Sequence, residues 1–145
     1  MTLDEYIAAH SSAENEVLRA ITRSTYVHTL NPHMLSGHVQ GRVLSMISHM
    51  IRPKRILELG TFTGYSALCL AEGLVPDGRL ITIEHNDEME ERIRHHLALS
   101  SLAEQIELVI GDAKEWMTAH AQEYNEAFDL VFIDADKPNY CNYFE

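Results

Sequence analysis

Acidic side chains stand where apolar segments of this sequence end. Glu84, Asp112 and Asp134 each lie at or near the end of such a segment, and Glu58 lies inside a segment that ends at Gly60. If the segments are parallel strands, their carboxyl ends meet at the edge where open α/β sheets bind ligands. Carboxylates at that edge can accept hydrogen bonds from hydroxyl groups, bind an amine or a metal ion, or act as general bases.

The segment from Arg55 to Ser66 predicts a strand, a tight turn and the start of a helix, in that order. The apolar run ends at Gly60, and Gly64 opens an amphipathic helix. Glycines are needed in such a turn because the backbone must bend sharply and admit a ligand without a Cβ atom in the way. The pattern predicts binding of an adenosine-type cofactor but leaves the identity of that cofactor open.

Glu84 and Glu58 suit different parts of a cofactor. Glu84 follows Gly60 at about the separation at which a dinucleotide fold places the carboxylate that accepts both ribose hydroxyls, and we favour that role over a solvated residue before the next helix. Glu58 must find hydrogen-bond donors, because an unpaired buried carboxylate is costly. Backbone amides of the next loop, the amine of a bound cofactor and a structural partner elsewhere are the candidates.

Two further strand ends carry polar groups. At Gly111–Asp112–Ala113, the edge of an adenine ring would meet backbone amides or the side chain of Asp112. Asp134, Asp136 and Lys137 follow the last apolar run, and they form either a hard-cation site with a general base beside it or an ion-paired helix start. The position at a strand end favours the functional alternative.

Composition and motifs exclude several functional classes. The 145 residues carry 22 acidic and 11 basic side chains, a formal net charge of −11, which argues against nucleic acid and anionic membranes as partners. The sequence has no Cys-x-x-Cys or His-Glu-x-x-His zinc motif, no Gly-x-Ser-x-Gly elbow and no Gly-Lys-Ser/Thr phosphate loop. The N-terminal residues do not resemble a leader peptide, and we expect a cytoplasmic protein.

Helices precede the first strand. Thr2 can cap a short helix that runs through Ala9, a second helix is predicted from Ser12 to Leu30, and a third from Gly37 to Ile51. The third helix carries one apolar stripe, formed by Val43, Leu44, Ile47, Met50 and Ile51.

Strands and helices then alternate. Short apolar runs predict strands at Ile56–Leu59, Leu80–Glu84, Ile106–Ile110 and Phe128–Ile133, with helices at Gly64–Gly73, Asp87–Leu99 and near Lys114–Ala121. Runs that are apolar throughout are typical of parallel strands covered on both faces, so we predict an α/β fold. We expect one domain over residues 1–145, with N-terminal helices in 1–51 and an α/β core in 52–145.

Residues 56–67 and 128–140 together resemble the cation-dependent S-adenosylmethionine O-methyltransferases, the group of caffeoyl-CoA and catechol O-methyltransferases and their bacterial relatives. The resemblance extends from about Asn31 to the end of the chain. The pattern Glu-x-Gly-x-x-x-Gly fits this group and differs from the Gly-x-Gly-x-x-Gly of nicotinamide enzymes. The resemblance implies a Rossmann-like methyltransferase fold with a parallel sheet in the order 3-2-1-4, helices on both faces and the C-terminal strands missing.

The resemblance also implies a role for each candidate residue. Lys137 would be the base and Asp134 a metal ligand close to the sulfonium. Glu58 would hold the amino group of the cofactor and Glu84 its ribose. The methionine end would contact Ser36, Gly60, Thr61 and Ser66, and the adenine would contact Asp112 and Ala113.

The activity implied by the resemblance is transfer of a methyl group from S-adenosylmethionine to a hydroxyl of a catechol-like molecule. A divalent cation, Mg²⁺ or alternatively Ca²⁺ or Mn²⁺, would assist it, in a homodimer. The remaining metal ligands of that family follow a strand that would lie beyond Glu145, so the chain resembles an incomplete enzyme. One alternative is a catalytically inactive cofactor-binding or dimerisation module. Another is a nicotinamide oxidoreductase, which Phe62 disfavours because it stands where the second glycine is expected.

Overall fold

A parallel sheet forms the centre of the computed structural model, which describes residues 1–144. The described residues contain four strands in the order β3-β2-β1-β4, all parallel, as predicted. The register places Glu58 of β1 beside Thr82 of β2 and Phe132 of β4. The strands are β1 (Arg55–Leu59), β2 (Arg79–Glu84), β3 (Ile106–Ile110) and β4 (Leu130–Ile133).

Helices precede the sheet and connect its strands. They are α1 (Leu3–Ala9), α2 (Glu16–His28), α3 (Gly37–Ile51), α4 (Tyr65–Ala71), α5 (Glu90–Ala98), α6 (Ala113–His120) and α7 (Tyr140–Phe144). Single 3₁₀ turns lie at Pro32–Met34, Asp87–Met89, Ala103–Gln105 and Lys137–Asn139. Within residues 1–144, none of the helices has the length and apolar character needed to span a membrane.

Several element boundaries differ from the sequence prediction by one to four residues, and hydrogen bonds explain two of these differences. Helix α2 begins at Glu16 and not at Ser12, because the side chain of Asn15 accepts a hydrogen bond of 2.9 Å from the backbone N–H of Leu18 and caps the helix there. Strand β4 begins at Leu130, two residues later than predicted. The carboxylate of Asp129 accepts hydrogen bonds from the backbone N–H groups that open β1, so this residue lies in a turn before the strand.

The sheet separates two apolar clusters. On one face, Ile56 and Leu80 pack with residues of α2, α3, α4 and α5. On the other face, Leu57 and Ile81 pack with Ala113 and with aromatic side chains of α6 and the segment that follows it. Helices therefore cover both faces, as predicted. Side chains alternate between the faces of a strand, so Glu58 lies on the same face as Ile56 and points toward α4.

Small residues form the buried side of α3, where it contacts α4. Gly41, Ser45 and Ser48 are buried there together with one larger residue, Leu44. A Cβ atom on Gly41 would come within 2.7 Å of the Tyr65 ring, so the two helices approach closely. Most of the apolar stripe predicted for α3 is consequently on the outside of the molecule, where its exposed members are Val43, Ile47, Met50 and Ile51.

Candidate cofactor site

A cavity of about 730 Å³ opens at the carboxyl ends of the strands, and we call it the cleft. It brings together residues from all four strand ends and from the segment before α3. Nine of the ten site residues predicted from the sequence line it: Ser36, Gly60, Thr61, Ser66, Glu84, Asp112, Ala113, Asp134 and Lys137. The tenth, Glu58, does not line the cleft.

Gly60 allows the ends of β1 and β4 to approach each other. Its φ of +99° suits glycine, and a Cβ atom at this position would collide with the backbone carbonyl of Asp134. The N–H of Asp134 donates a hydrogen bond of 2.9 Å to the carbonyl of Leu59, which ties the two strand ends together. Any side chain at Gly60 would therefore push Asp134 away from the turn.

The glycine loop (residues 60–64) holds Phe62 in a left-handed conformation. Its φ of +55° is uncommon for a bulky side chain and costs roughly 1–3 kcal/mol. Hydrogen bonds offset this cost: Gly64 N–H donates to the carbonyl of Thr61 at 3.1 Å, and Phe62 N–H donates to Oε2 of Glu84 at 2.8 Å. As a result, a backbone amide of the loop points at the acid that ends β2.

The carboxylate of Glu84 is fixed from two sides. Oε2 accepts from the backbone N–H of Phe62, and Oε1 accepts from the backbone N–H of Asn86 at 2.9 Å. A carboxylate oxygen can accept two hydrogen bonds, so each of them retains one free acceptor position. An oriented carboxylate with two free acceptor positions matches two neighbouring hydroxyl groups, such as those of a ribose.

Glu58 is fully buried beneath the cleft, and its partners are hydroxyl groups. Ser66 Oγ donates to Oε1 at 2.5 Å, and Thr82 Oγ1 donates to Oε2 at 2.6 Å. The sequence left three kinds of partner open for Glu58: backbone amides of the next loop, the amine of a cofactor, and a structural partner elsewhere in the fold. The structure contains the third kind, in the form of these two side chains. Thr61 joins the same network through a 2.6 Å contact with the hydroxyl of Thr82. Ser66 and Thr61 thus separate Glu58 from the cleft.

Burial raises the pKa of Glu58 from its ordinary value of 4.5 to about 7. The hydrogen bonds from Ser66 and Thr82 lower this pKa, whereas the negative charges of Asp134 and Glu84 raise it. Within residues 1–144, no Lys or Arg forms a salt bridge with Glu58. A cation placed in the cleft above Ser66 would stabilise the ionised form and lower the pKa again.

The two carboxylates after β4 have different surroundings. Asp136 accepts hydrogen bonds from Tyr143 Oη at 2.5 Å and from the side-chain amide of Asn139, and these bonds hold its pKa below the ordinary value. Among residues 1–144, the carboxylate of Asp134 has no hydrogen-bond partner. Burial raises the pKa of Asp134, and the charge of Lys137 opposes that shift. Asp134 is therefore the carboxylate that remains available to a ligand.

The predicted contact between Asp112 and the adenine is less specific. The carboxylate of Asp112 accepts from the backbone N–H of Glu115 at 2.9 Å and caps α6, so its side chain has a structural role and only part of its acceptor capacity faces the cleft.

Residues 1–144 contain no group of three or more His, Cys, Asp or Glu side chains that could hold a metal ion.

Sequence reasoning missed His96, which lies directly behind the glycine loop. His96 is buried, and Nδ1 of its ring lies 2.9 Å from the carbonyl oxygen of Thr63. The residue lies between Ile93 and Leu97 on the buried side of α5. Helical spacing from these two apolar residues was the signal that could have identified a buried histidine.

Sequence comparison identifies related methyltransferases. A family model described as O-methyltransferase matches residues 8–145. A catechol O-methyltransferase from Niastella koreensis is 33% identical over 144 residues, which are 99% of this chain and 65% of that protein. The chain therefore spans less than two thirds of the length of this relative.

Two solved structures of similar fold contain S-adenosylmethionine or S-adenosylhomocysteine. The O-methyltransferase TomG from Streptomyces achromogenes, in complex with S-adenosylmethionine, matches with a TM-score of 0.89 and 34% identity, over 98% of this chain and 63% of TomG. An O-methyltransferase from Bacillus cereus, in complex with S-adenosylhomocysteine, matches with a TM-score of 0.90 and 30% identity, over 98% of this chain and 64% of that one.

The buried carboxylate of Glu58 predicts a specific dependence of stability on pH. Because its pKa is raised in the folded state, the folded protein binds more protons than the unfolded chain between pH 4.5 and about 7, and the free energy of unfolding falls as pH rises through this range. Glu58→Gln replaces the carboxyl group with an amide that does not titrate, so the variant does not lose this stability as pH rises. At pH 8 we expect the variant to be more stable than the wild type by roughly 1–3 kcal/mol.

Urea denaturation without ligand at pH 4.5 and at pH 8 measures the difference. Glu91→Gln, at an exposed position of α5, is the matched control and should give the same difference from the wild type at both pH values. A Glu58→Gln variant that is less stable than the wild type at pH 8 would contradict the prediction.

Proposed function

Because the chain belongs to the O-methyltransferase family, we propose that the protein binds S-adenosylmethionine and transfers its methyl group to a hydroxyl of a catechol-like small molecule. The observation that carries the proposal is the carboxylate of Glu84, which two backbone amides orient beside the glycine loop. Relatives whose structures contain S-adenosylmethionine or S-adenosylhomocysteine support the choice of cofactor, and a relative named for catechol supports the class of acceptor.

The residues of the cleft suit the parts of this cofactor. Glu84 would accept hydrogen bonds from the two ribose hydroxyls, and the backbone at Asp112 and Ala113 would border the adenine. At the other end, Glu58 lacks a cationic partner among residues 1–144, and the amino group of the methionine part would supply one from the cleft side of Ser66. The residues proposed to line the methionine part are Ser36, Gly60, Thr61 and Ser66.

When it is bound, the cofactor supplies a methyl group that the positive sulfonium activates toward a nucleophilic oxygen. The protein must hold the acceptor hydroxyl in line with that methyl group and remove its proton. Lys137 and Asp134 line the same cleft as Gly60, which places an amine and a carboxylate on the side of the acceptor. We assign proton removal to the amine of Lys137 and electrostatic orientation of the acceptor to Asp134.

We also propose a divalent cation, Mg²⁺ or alternatively Ca²⁺ or Mn²⁺, at Asp134. Support comes from the carboxylate of Asp134, which has no hydrogen-bond partner among residues 1–144, and from the sequence pattern around it. The described residues do not complete such a site, since residues 1–144 contain no group of three potential ligands and a single carboxylate holds a hard cation poorly. The roles proposed for Lys137 and Asp134 above do not depend on the cation.

The incomplete ligand set favours a second candidate, a catalytically inactive module that binds the cofactor or forms a dimer. This candidate keeps Glu84, Glu58 and the glycine loop in the roles proposed above. It assigns no chemical role to Lys137. Binding of S-adenosylhomocysteine is expected from both candidates, whereas methyl transfer is expected only from the enzyme.

A second copy of the chain is the proposed protein partner. Helix α3 leaves apolar side chains exposed along one side, at spacings of four, three and four residues: Val39, Val43, Met46 and Met50. This is the spacing of a helix seam that packs against another helix. An antiparallel pairing of two α3 helices would cover the stripe in both copies, and it supports the proposal of a homodimer.

The role of Glu84 predicts a loss of cofactor affinity. Glu84→Ala should weaken binding of S-adenosylhomocysteine by roughly 1.5–3 kcal/mol, because the ribose hydroxyls lose charge-assisted hydrogen bonds. Isothermal titration calorimetry measures the affinity. Glu88→Ala, an exposed residue outside the cleft, is the control and should bind as the wild type does. Equal affinity of Glu84→Ala and wild type would remove Glu84 from the site.

The role of Lys137 predicts a loss of turnover with cofactor binding retained. In an assay with labelled S-adenosylmethionine, catechol and Mg²⁺, Lys137→Ala should lower the rate of methyl transfer about 10²–10⁴-fold, the usual range for a lost general base. Its affinity for S-adenosylhomocysteine should match that of the wild type. Lys114→Ala, at an exposed position of α6, is the control. A wild type that binds S-adenosylhomocysteine but transfers no methyl group would favour the inactive module.

The proposed dimer predicts a monomeric variant. Met46→Glu places a charge in the middle of the stripe and should shift the sedimentation coefficient from that of a dimer to that of a monomer. Leu99→Glu, which adds a charge at an apolar position of similar exposure away from α3, should leave the dimer intact. A wild type that sediments as a monomer at micromolar concentration would reject the dimer.

A further inference from the structure

His96 lies on α5, and its two ring nitrogens connect this helix to the glycine loop and to α2. Its ring is 1% exposed; Nδ1 lies 2.9 Å from the carbonyl oxygen of Thr63 in the glycine loop, and Nε2 lies 2.9 Å from Oγ of Ser24 on α2. A carbonyl oxygen only accepts hydrogen bonds, so Nδ1 must carry the proton. In the neutral ring, Nε2 then accepts a hydrogen bond from the Ser24 hydroxyl.

The surroundings keep the ring of His96 neutral. Burial lowers its pKa, and this effect exceeds the opposing effect of the hydrogen bond to Thr63. The positive charges of His95, Arg92 and His28 lower the pKa further. His96 is therefore a fixed hydrogen-bond donor to the loop and not a group that exchanges protons with a substrate.

The bond from His96 fixes a peptide group of the glycine loop. The carbonyl of Thr63 and the N–H of Gly64 belong to one planar peptide and point in opposite directions. With the carbonyl held by His96, the N–H of Gly64 points at the carbonyl oxygen of Thr61 and donates to it at 3.1 Å.

A second peptide group connects the carbonyl of Thr61 to Glu84. The carbonyl of Thr61 shares a peptide with the N–H of Phe62, which donates to Oε2 of Glu84 at 2.8 Å. The left-handed conformation of Phe62 is unfavourable for this residue type, so rotation of the Thr61–Phe62 peptide would relieve it. Without the support from His96, that rotation would take the amide away from Glu84.

We propose that His96 is a positioning residue for cofactor binding, which orients the carboxylate of Glu84 through the peptide groups of Thr63–Gly64 and Thr61–Phe62. This inference rests on the proposed function, because it assigns Glu84 to the ribose. A separate contact holds the Thr63 side chain, whose hydroxyl accepts from Thr25 on α2 at 3.1 Å. The contribution of His96 is therefore specific to the backbone of the loop.

Two substitutions separate the hydrogen bond from the volume of the side chain. His96→Asn places an amide N–H near the position of Nδ1, and His96→Leu fills the space without a donor. By calorimetry, His96→Leu should bind S-adenosylhomocysteine about tenfold more weakly than the wild type, the equivalent of one hydrogen bond, whereas His96→Asn should stay within about threefold. Ser24→Ala removes only the contact to α2 and should also stay within about threefold.

A double-mutant cycle distinguishes positioning from a general structural role. If His96 acts through Glu84, His96→Leu should cause no further loss of affinity in a Glu84→Ala background. The same tenfold loss in both backgrounds would overturn the proposal. If His96→Leu does not fold, His96→Gln replaces it, because its longer side chain carries the amide toward Ser24 and leaves the Thr63 carbonyl unpaired.

Hydrogen exchange of the Phe62 amide tests the inference without any cofactor. In the ligand-free protein this amide should be protected in the wild type and in His96→Asn, and should exchange at least tenfold faster in His96→Leu. Equal protection in all three proteins would overturn the proposal. Absence of S-adenosylhomocysteine binding by the wild type would instead contradict the proposed function, while the exchange of Phe62 would still decide the role of His96.

Discussion

The geometry of the site depends on one row of backbone hydrogen bonds at the carboxyl ends of the strands. The N–H of Gly60 donates to Ile83, that of Gly111 donates to Glu84, and that of Asp134 donates to Leu59, each at 2.9–3.0 Å. This row continues the ladder of the sheet by one residue beyond β1, β3 and β4. The loops therefore leave the sheet at the same level, and their side chains surround one cleft.

The acid inside β1 shows that the site is built at some cost to the stability of the fold. Glu58 lies among apolar side chains, and its partners in the described part of the chain are hydroxyl groups and not cations. An apolar residue at this position would fit a buried parallel strand better. In the proposed function, the amino group of the cofactor would bring a positive charge to the cleft side of Ser66 and stabilise the ionised form of Glu58.

The sequence predicted the features that depend on position along a strand. The parallel direction of the strands and the location of Glu84 follow from apolar runs that end in glycine or acid, whereas the sheet order was implied by the resemblance to the O-methyltransferases. The start of α2 was predicted wrongly because Ser12 and Asn15 are both good caps, and only the packed structure selects the second. Thr82, which bonds Glu58, and both partners of His96 are distant from them in sequence, and no local spacing encodes such contacts.

The place of β4 in the sheet has a consequence for how the protein folds. Strand β4 pairs with β1 although β2 and β3 lie between them in the sequence, so this pairing closes the longest loop in the sheet. A chain in which only β1, β2 and β3 have paired already contains the glycine loop and Glu84. It still lacks Asp134 and Lys137. The groups proposed to recognise the nucleoside can thus form earlier on the folding pathway than the groups proposed to act on the methyl acceptor.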